Sequence, residues 1–467
     1  MDNSDVANLL TFGKTQKLLF VLCGGGWSIA MGIVATISIL INELHQEWDL
    51  SYSILSLLPI FNMIGIFIGS NFWGILSDKY GRMIAFKRGL LICCIATTIS
   101  IFSINFYMLA VLFLFIGFGL AASLSVDGAV FLEYSPPDKA HLLTGMSIVC
   151  AFGAFYANGC AWVFTLMNLP MMWRFLLGVN AFLNFLVVLP RFWVKETPLF
   201  LASKGRYVEM DELMQNLNKD YKKTYLSNGS SSSILKSEES ENNIVKTDTK
   251  SMKMINLSLL EQIKCLFRKP LKKLTFLYLS IWFFTAFTFS GVGAYMPEIL
   301  RQAGQGGSAN VDIYRSMFIQ SLSAVPAVIV ATYLVKSCLG RKWTQSLALL
   351  MASILIYSFL IPNYAGLLIC STVYYFFINL MYPVQYAITP ETFPIQVRNT
   401  AVGLCNCINN IASIIGPLSA ALLLQESKNL AFSLAFFSFS LVVAAGCAAF
   451  VIETKNFDSN SFELDIK

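Results

Sequence analysis

Apolar residues run along this chain in long blocks broken by short polar stretches. A helix needs about 20 mostly apolar residues to cross a bilayer. Twelve blocks meet that length: residues 18–42, 52–76, 85–104, 106–131, 142–166, 172–193, 273–297, 313–336, 344–361, 364–388, 399–424 and 428–452. They fall as six, a polar interruption over about 195–272, and six more. The pattern predicts an all-α, polytopic membrane protein of two six-helix bundles. The middle of the interruption, about 224–252, is rich in Ser, Asn and Glu and is expected to be disordered. Its flanks, "GRYVEMDELMQNLNKDYKK" and "NLSLLEQIKCLFRKPLKK", read as short amphipathic helices on the membrane surface.

Composition sharpens this. The chain is 56% hydrophobic and 13% charged, against about 25% charged in soluble domains. The net charge of +6 lies in short loops rather than in a patch, so no nucleic-acid partner is expected. Eleven Cys are scattered through apolar segments and only two His are present, which predicts neither a metal site nor a cofactor. The absence of a P-loop, metal motif or nucleophile constellation argues against an enzyme or an ATP-driven pump. The polar start of the chain has no apolar core, so the first block is expected to direct insertion without a cleaved signal.

Lys and Arg mark the cytoplasmic loops. Loops leaving even-numbered blocks carry Lys79, Arg82, Lys87 and Arg88, then Lys139, then Lys336, Arg341 and Lys342, then Arg398, whereas the first odd loop has Glu43, Glu47 and Asp49 with no cation. Both termini and the central loop are therefore expected in the cytoplasm. The sequons at Asn228 and Asn256 fall on that side, and no N-glycan is predicted.

The two halves repeat. Gly81-Arg82 returns as Gly340-Arg341, 259 residues on; Glu133 to Gly145 returns as Glu391 to Gly403, 258 on; "VKET" at Val194 returns as "VIET" at Val451, 257 on. Three anchors at nearly one offset indicate a tandem pair, residues 1–194 and 273–455, joined by the linker 195–272 and followed by a tail over 456–467. Tandem six-helix units that enclose a central cavity and rock about it are carriers.

These anchors resemble the major facilitator superfamily. "GILSDKYGRM" is similar to its loop 2–3 motif, with Gly74, Asp78, Gly81 and Arg82 in the motif positions. The repeat has Ser337 in place of the acid. "VKETPLFLASKGR" is similar to a stretch of the sugar-porter and organic-ion branches. "ETFPIQVRNTAVGLCNCINNIASIIGP" and "WFFTAFTFSG" resemble organic-ion transporters and synaptic-vesicle-2-related proteins. Phe287-Thr288 replaces the paired Gln of sugar porters, and the short first loop matches metabolite:proton symporters. The resemblance implies that Asp78, Gly81, Arg82, Glu133, Arg341, Glu391 and Arg398 form cytoplasmic latches, with Arg398 suited to bridge Glu391 and a loop 2–3 cation suited to Glu133. At the eleventh-block position that is charged in many organic-ion transporters stands neutral Asn410.

Helical spacing puts Asn406, Asn409, Asn410 and Ser413 on one face, and Tyr375, Asn379, Tyr382 and Tyr386 on another. Polar groups in hydrocarbon are costly, so both faces should point inward. They line a solute cavity or bond between helices. Trp27, Asn158, Thr288, Tyr295 and Gln320 are further candidate solute contacts. Arg174, in "MMWRFLL", is expected at the outer interface in a structural role. Asp127 lies six residues, about 9 Å of helix, deeper than Glu133, and its repeat position is Gln385. It is a candidate proton acceptor, a counter-ion for a cationic solute, or a latch partner. The function expected is secondary-active transport of a small organic solute by a monomer, coupled to a proton. Uniport with Asp127 structural, and a transport-inactive receptor, are the alternatives; the dozen residues after the last block give the receptor reading no signalling tail.

Overall fold

The computed structural model describes residues 12–136, 142–217, 259–303, 310–337, 339–360, 363–426 and 430–453. The expectations for residues 224–252, Asn228, Asn256, Lys139 and the 456–467 tail lie outside these residues. Twelve helices among the described residues are long and apolar enough to span a bilayer. They are α1 (Lys14–Trp48), α2 (Leu57–Tyr80), α3 (Arg82–Ser100), α4 (Phe106–Tyr134), α5 (Leu142–Leu166) and α6 (Met172–Arg191). The second set is α7 (Lys272–Ala294), α8 (Asn310–Leu322 continued by Ala324–Lys336), α9 (Gly340–Ile356), α10 (Tyr364–Thr392), α11 (Ile395–Glu426) and α12 (Leu430–Ala449).

Each half closes on itself as a bundle of closely packed helices. In the first, α2 packs along α4 through small residues: a side chain at Gly65 or Gly117 would strike the facing backbone carbonyl. In the second, α7 packs on α11 and α12, with Gly416 against Phe287. The repeat extends to the helix caps. Asn105 accepts from the Met108 N–H (2.8 Å) at the start of α4, and Asn363, 258 positions on, accepts from the Ala365 N–H (3.1 Å) at the start of α10. Large apolar side chains such as Phe102, Trp193 and Phe450 are exposed. A bilayer covers such a surface.

The start of α1, the α2–α3 turn, the end of α4 and the chain just after α6 meet at one end of the molecule, here the terminal end, where Gln16 bonds the Tyr134 carbonyl and Arg82 bonds Glu133 and Glu196; the end of α1 and the helix Met296–Ala303 that follows α7 lie at the distal end. The first linker flank does not match its expectation. Helix Tyr207–Leu217 turns Met210, Leu213 and Met214 into the first bundle's core, beside Leu201 and Ala202, so its apolar face is spent on protein rather than on membrane.

Candidate functional site

At the terminal end the three repeated anchors converge in each half. Gly81 (φ 116°) and Gly340 (φ 66°) turn the chain into α3 and α9 through backbone conformations that favour glycine. The first N–H groups of each helix lack intrahelical partners. Glu196 takes those of Arg82 (2.9 Å) and Met83 (3.3 Å), and Glu453 takes those of Arg341 (3.1 Å) and Lys342 (3.0 Å). The Arg side chains then reach the helix-end acids. Arg82 Nε donates to Glu133 (2.9 Å) and Arg341 Nη2 to Glu391 (2.8 Å). Asp78 adds a bond to Arg82, and Thr197 donates to Glu133 (2.6 Å). At the position of Asp78 in the second half, Ser337 accepts from the Leu339 N–H (3.2 Å). Arg341 stands beside Glu391, and Arg398, the cation that sequence reasoning offered to Glu391, donates through Nε to the Phe393 carbonyl (3.3 Å).

Deeper in the first bundle, Asp127 meets Arg191 in a two-pronged pair, Oδ1–Nη1 3.0 Å and Oδ2–Nη2 2.6 Å, with both side chains 0% exposed. Arg191 also donates to the carbonyls of Phe86 (3.0 Å) and Leu22 (2.8 Å) and to Ser123 Oγ (3.3 Å), and lies 4.1 Å over the Phe86 ring. The pair thus ties α1, α3, α4 and α6 together. It presses on Gly26, where any Cβ would collide with both partners. In the second bundle the equivalent Gln385 sits in a neutral network, accepting from Gln345 Nε2 (3.3 Å).

In the second bundle α10 carries a row of rings and α11 a row of amides. Tyr375, Asn379 and Tyr382 are half-buried along α10, and Tyr386, nearest the terminal end, is 53% exposed. Tyr386 meets Trp282 edge-on at 4.8 Å, and Tyr382 meets Phe289 at 5.2 Å. Asn379 Nδ2 donates to the Tyr375 carbonyl (2.8 Å). On α11, Asn406, Asn409 and Asn410 are half-buried and make no hydrogen bond to another described residue. In the first bundle, Trp27 Nε1 donates to the Ser123 carbonyl (3.3 Å), and Cys150 Sγ reaches the Trp27 carbonyl (3.6 Å).

The distal halves of the bundles are bonded to each other. Tyr314 on α8 accepts from Asn42 Nδ2 (2.8 Å) and donates to Glu43 (2.5 Å), both on α1. Tyr295 donates to the Tyr52 carbonyl (3.1 Å), and Arg301, paired with Glu298, donates to the Tyr52 hydroxyl (2.9 Å). Burial, and then Tyr52, push the Tyr295 phenol above its ordinary range. Burial opposes the Arg301 charge, but Glu298 and Tyr52 outweigh it and hold the guanidinium above its usual value. Asn158 Nδ2 donates to the Met317 carbonyl (3.3 Å), and the Phe318 ring lies 4.8 Å from Phe155 and 5.5 Å from Trp162. Arg174 binds the carbonyls of Ile101 (2.9 Å) and Ser103 (3.0 Å) within the first bundle.

Residues 17–464 match the family model described as "Sugar (and other) transporter". The chain belongs to this family of the major facilitator superfamily. It is therefore an integral, multi-pass transporter and not an enzyme. It is 27% identical to the organic cation/carnitine transporter 7 of Arabidopsis thaliana over 88% of this chain and 86% of that one. It is 26% identical to the synaptic vesicle 2-related protein of Bos taurus over 97% and 81%. The crystal structure of a D-xylose-proton symporter superposes with a TM-score of 0.71 at 16% identity, covering 94% of this chain and 99% of that one, which shows the shared fold.

In this transporter the candidate solute contacts separate by place. Trp27, Tyr375, Asn379, Tyr382, Asn406 and Asn410 are half-buried, and the side-chain contacts shown for them stay within their own bundles. Tyr295 and Asn158 belong to the distal contacts. Thr288 bonds Ser440 on α12, and Gln320 donates to Ser371 (2.8 Å) between α8 and α10, so both are spent inside the second bundle. Sequence reasoning missed Arg191, Glu196, Glu453, Tyr314 and Cys150 as working positions. Signals existed for three. Glu196 and Glu453 are the acids of the "VKET" and "VIET" repeats. Arg191, like Asp127, has no charged counterpart, because its repeat position is Ala448. Two unrepeated opposite charges in one apolar half have to meet.

Proposed function

We propose that this transporter carries a small organic solute, an organic ion or an aromatic or heterocyclic metabolite, by alternating access, with the terminal end in the cytoplasm. One observation carries the reading. The bundles are bonded through their distal halves, while Asn406, Asn409 and Asn410 are half-buried with no hydrogen bond to another described residue and Tyr386 is 53% exposed. Unfilled amides inside a membrane protein are costly unless water or a ligand meets them. Rings beside amides suit a planar or hydroxyl-bearing solute, whose faces stack and whose edges bond. The organic cation/carnitine relative works on a solute of that broad kind, and the Lys and Arg of the terminal loops support the orientation. The clusters around Arg82 and Arg341 then act as cytoplasmic latches, and the Tyr314 and Tyr52 contacts as the distal gate.

Proton coupling is the finer part of the proposal. Asp127 is the acid deep in the span, and a proton on it would weaken the bond to Arg191 that joins four helices. Uniport is a second reading, favoured by the fact that Arg191 and Ser123, which meet Asp127, lie in its own bundle, where rocking leaves them in place. Proteoliposome uptake of a solute found by thermal-shift screening, with and without an imposed pH gradient, separates the two. Accumulation against a gradient that needs ΔpH and is lost in Asp127→Asn supports coupling; equal uptake with and without ΔpH leaves uniport. No uptake of any stabilising solute would sink the carrier reading itself.

A further inference from the structure

The second linker flank has a composition that transport does not use. Between Leu259 and Lys273 the chain carries Lys264, Arg268, Lys269, Lys272 and Lys273 against a single acid, Glu261. All five cations are exposed, and none makes an ion pair or hydrogen bond with an acidic side chain of another described residue. Their position is fixed by their neighbours. Leu266 and Leu271 are fully buried, and Thr275 Oγ1 donates to the Leu266 carbonyl (2.8 Å), which pins the short helix Leu259–Leu266 to the entry of α7. Gln262 is bonded to Thr400 at the start of α11. Lys272 and Lys273 form the first turn of the spanning helix itself. One turn further in stands exposed Phe276, with Phe267 edge-on against it at 5.5 Å. The cations therefore flank the first apolar turn of the spanning helix.

The other linker flank is different. Helix Tyr207–Leu217 carries Glu209, Asp211 and Glu212, its Arg206 is paired to Glu209 (2.5 Å), and its apolar face is buried in protein. The two flanks thus differ in charge and in what covers them.

We propose that Lys264, Arg268, Lys269, Lys272 and Lys273 form a binding surface for anionic phospholipid headgroups in the leaflet at the terminal end. Exposed cations directly outside a spanning helix attract anionic lipid. Their long stems lie along the apolar boundary while the charges reach the phosphates. An exposed ring beside them seats in the acyl boundary, as in other interfacial anchors. The surface holds the entry of α7, and through Gln262 the start of α11, at a fixed depth. The inference rests on α7 crossing the bilayer and is independent of the solute and of coupling.

The test uses the full-length carrier in phosphatidylcholine vesicles with spin-labelled phosphatidylglycerol or phosphatidylcholine as probe. The motionally restricted fraction gives the relative association of the two lipids with the protein. The wild-type chain should prefer phosphatidylglycerol by about fivefold for each cation engaged, and raised salt should reduce that preference. The variant Lys264→Gln/Arg268→Gln/Lys269→Gln/Lys272→Gln/Lys273→Gln should lose most of it. Because that variant also removes insertion signals, a charge-keeping variant with Arg at the four Lys positions is run beside it and should keep the preference. Inorganic phosphate at constant ionic strength should leave the preference intact. Equal association of both lipids with the wild-type chain, retention by the Gln variant, loss in the Arg variant, or displacement by inorganic phosphate would each overturn the proposal.

Discussion

Removing one partner of the Asp127–Arg191 pair should cost far more than removing both. The pair is wholly buried and its charges are matched by the two-pronged contact. In Asp127→Leu the Arg191 guanidinium keeps the carbonyls of Phe86 and Leu22 but loses its counter-charge in a low-dielectric site. Breaking a buried pair on one side typically costs about 3–5 kcal/mol. Arg191→Met strands Asp127 with Ser123 and should cost a similar amount. The double variant leaves no buried charge, and replacements of this kind range from neutral to stabilising by about 1–4 kcal/mol. The second bundle already runs on the neutral counterpart, with Gln385 and Ala448 at these positions. A double-mutant cycle on thermal unfolding in detergent therefore predicts a coupling energy of several kcal/mol, with the double variant more stable than either single one. Single variants within about 1 kcal/mol of wild type, or a double variant as unstable as the sum of the singles, would refute the account of the pair as a four-helix tie.

Asn406→Leu and Asn410→Leu should each weaken solute binding by about tenfold, the equivalent of one lost hydrogen bond, with unfolding temperature unchanged; thermal-shift titration with the screened solute reads both. Tyr314→Phe deletes two bonds between the bundles at little change in volume. At about 1 kcal/mol each it should shift the population towards a distally open state by on the order of thirtyfold, seen as longer distances between spin labels on the distal turns. Glu196→Ala and Glu453→Ala each uncap a helix start and should cost about 1–2 kcal/mol; because the two sites lie in different bundles, their effects on unfolding should add. Gly26→Ala should destabilise by more than an ordinary surface change, since its Cβ meets Arg191 and Asp127.

Much of this was legible in the chain. A bilayer demands long apolar helices with internally satisfied backbones, so the twelve spans announce themselves in one dimension. Duplication did the same for the terminal clusters, because three anchors at a common offset mark groups that meet in each half. Helical spacing put the amides of α11 and the rings of α10 on single faces. Pairing was not legible. Asp127 and Arg191 are 64 positions apart on helices whose relative rotation is set by packing around Gly26, and no periodicity encodes that. For the same reason Thr288 and Gln320 stood beside Asn410 as candidate contacts in the sequence, although they bond within the second bundle.

The chain by itself determined the number of helices, the internal repeat and the candidate faces, because hydrophobic length and helical period are local properties of sequence. Only the tertiary structure decided which partner each charge takes, which polar residues are already satisfied, and that the bundles are bonded through their distal halves. Those depend on how helices distant in sequence rotate and pack, and the free energy of a buried polar group is set by what stands opposite it.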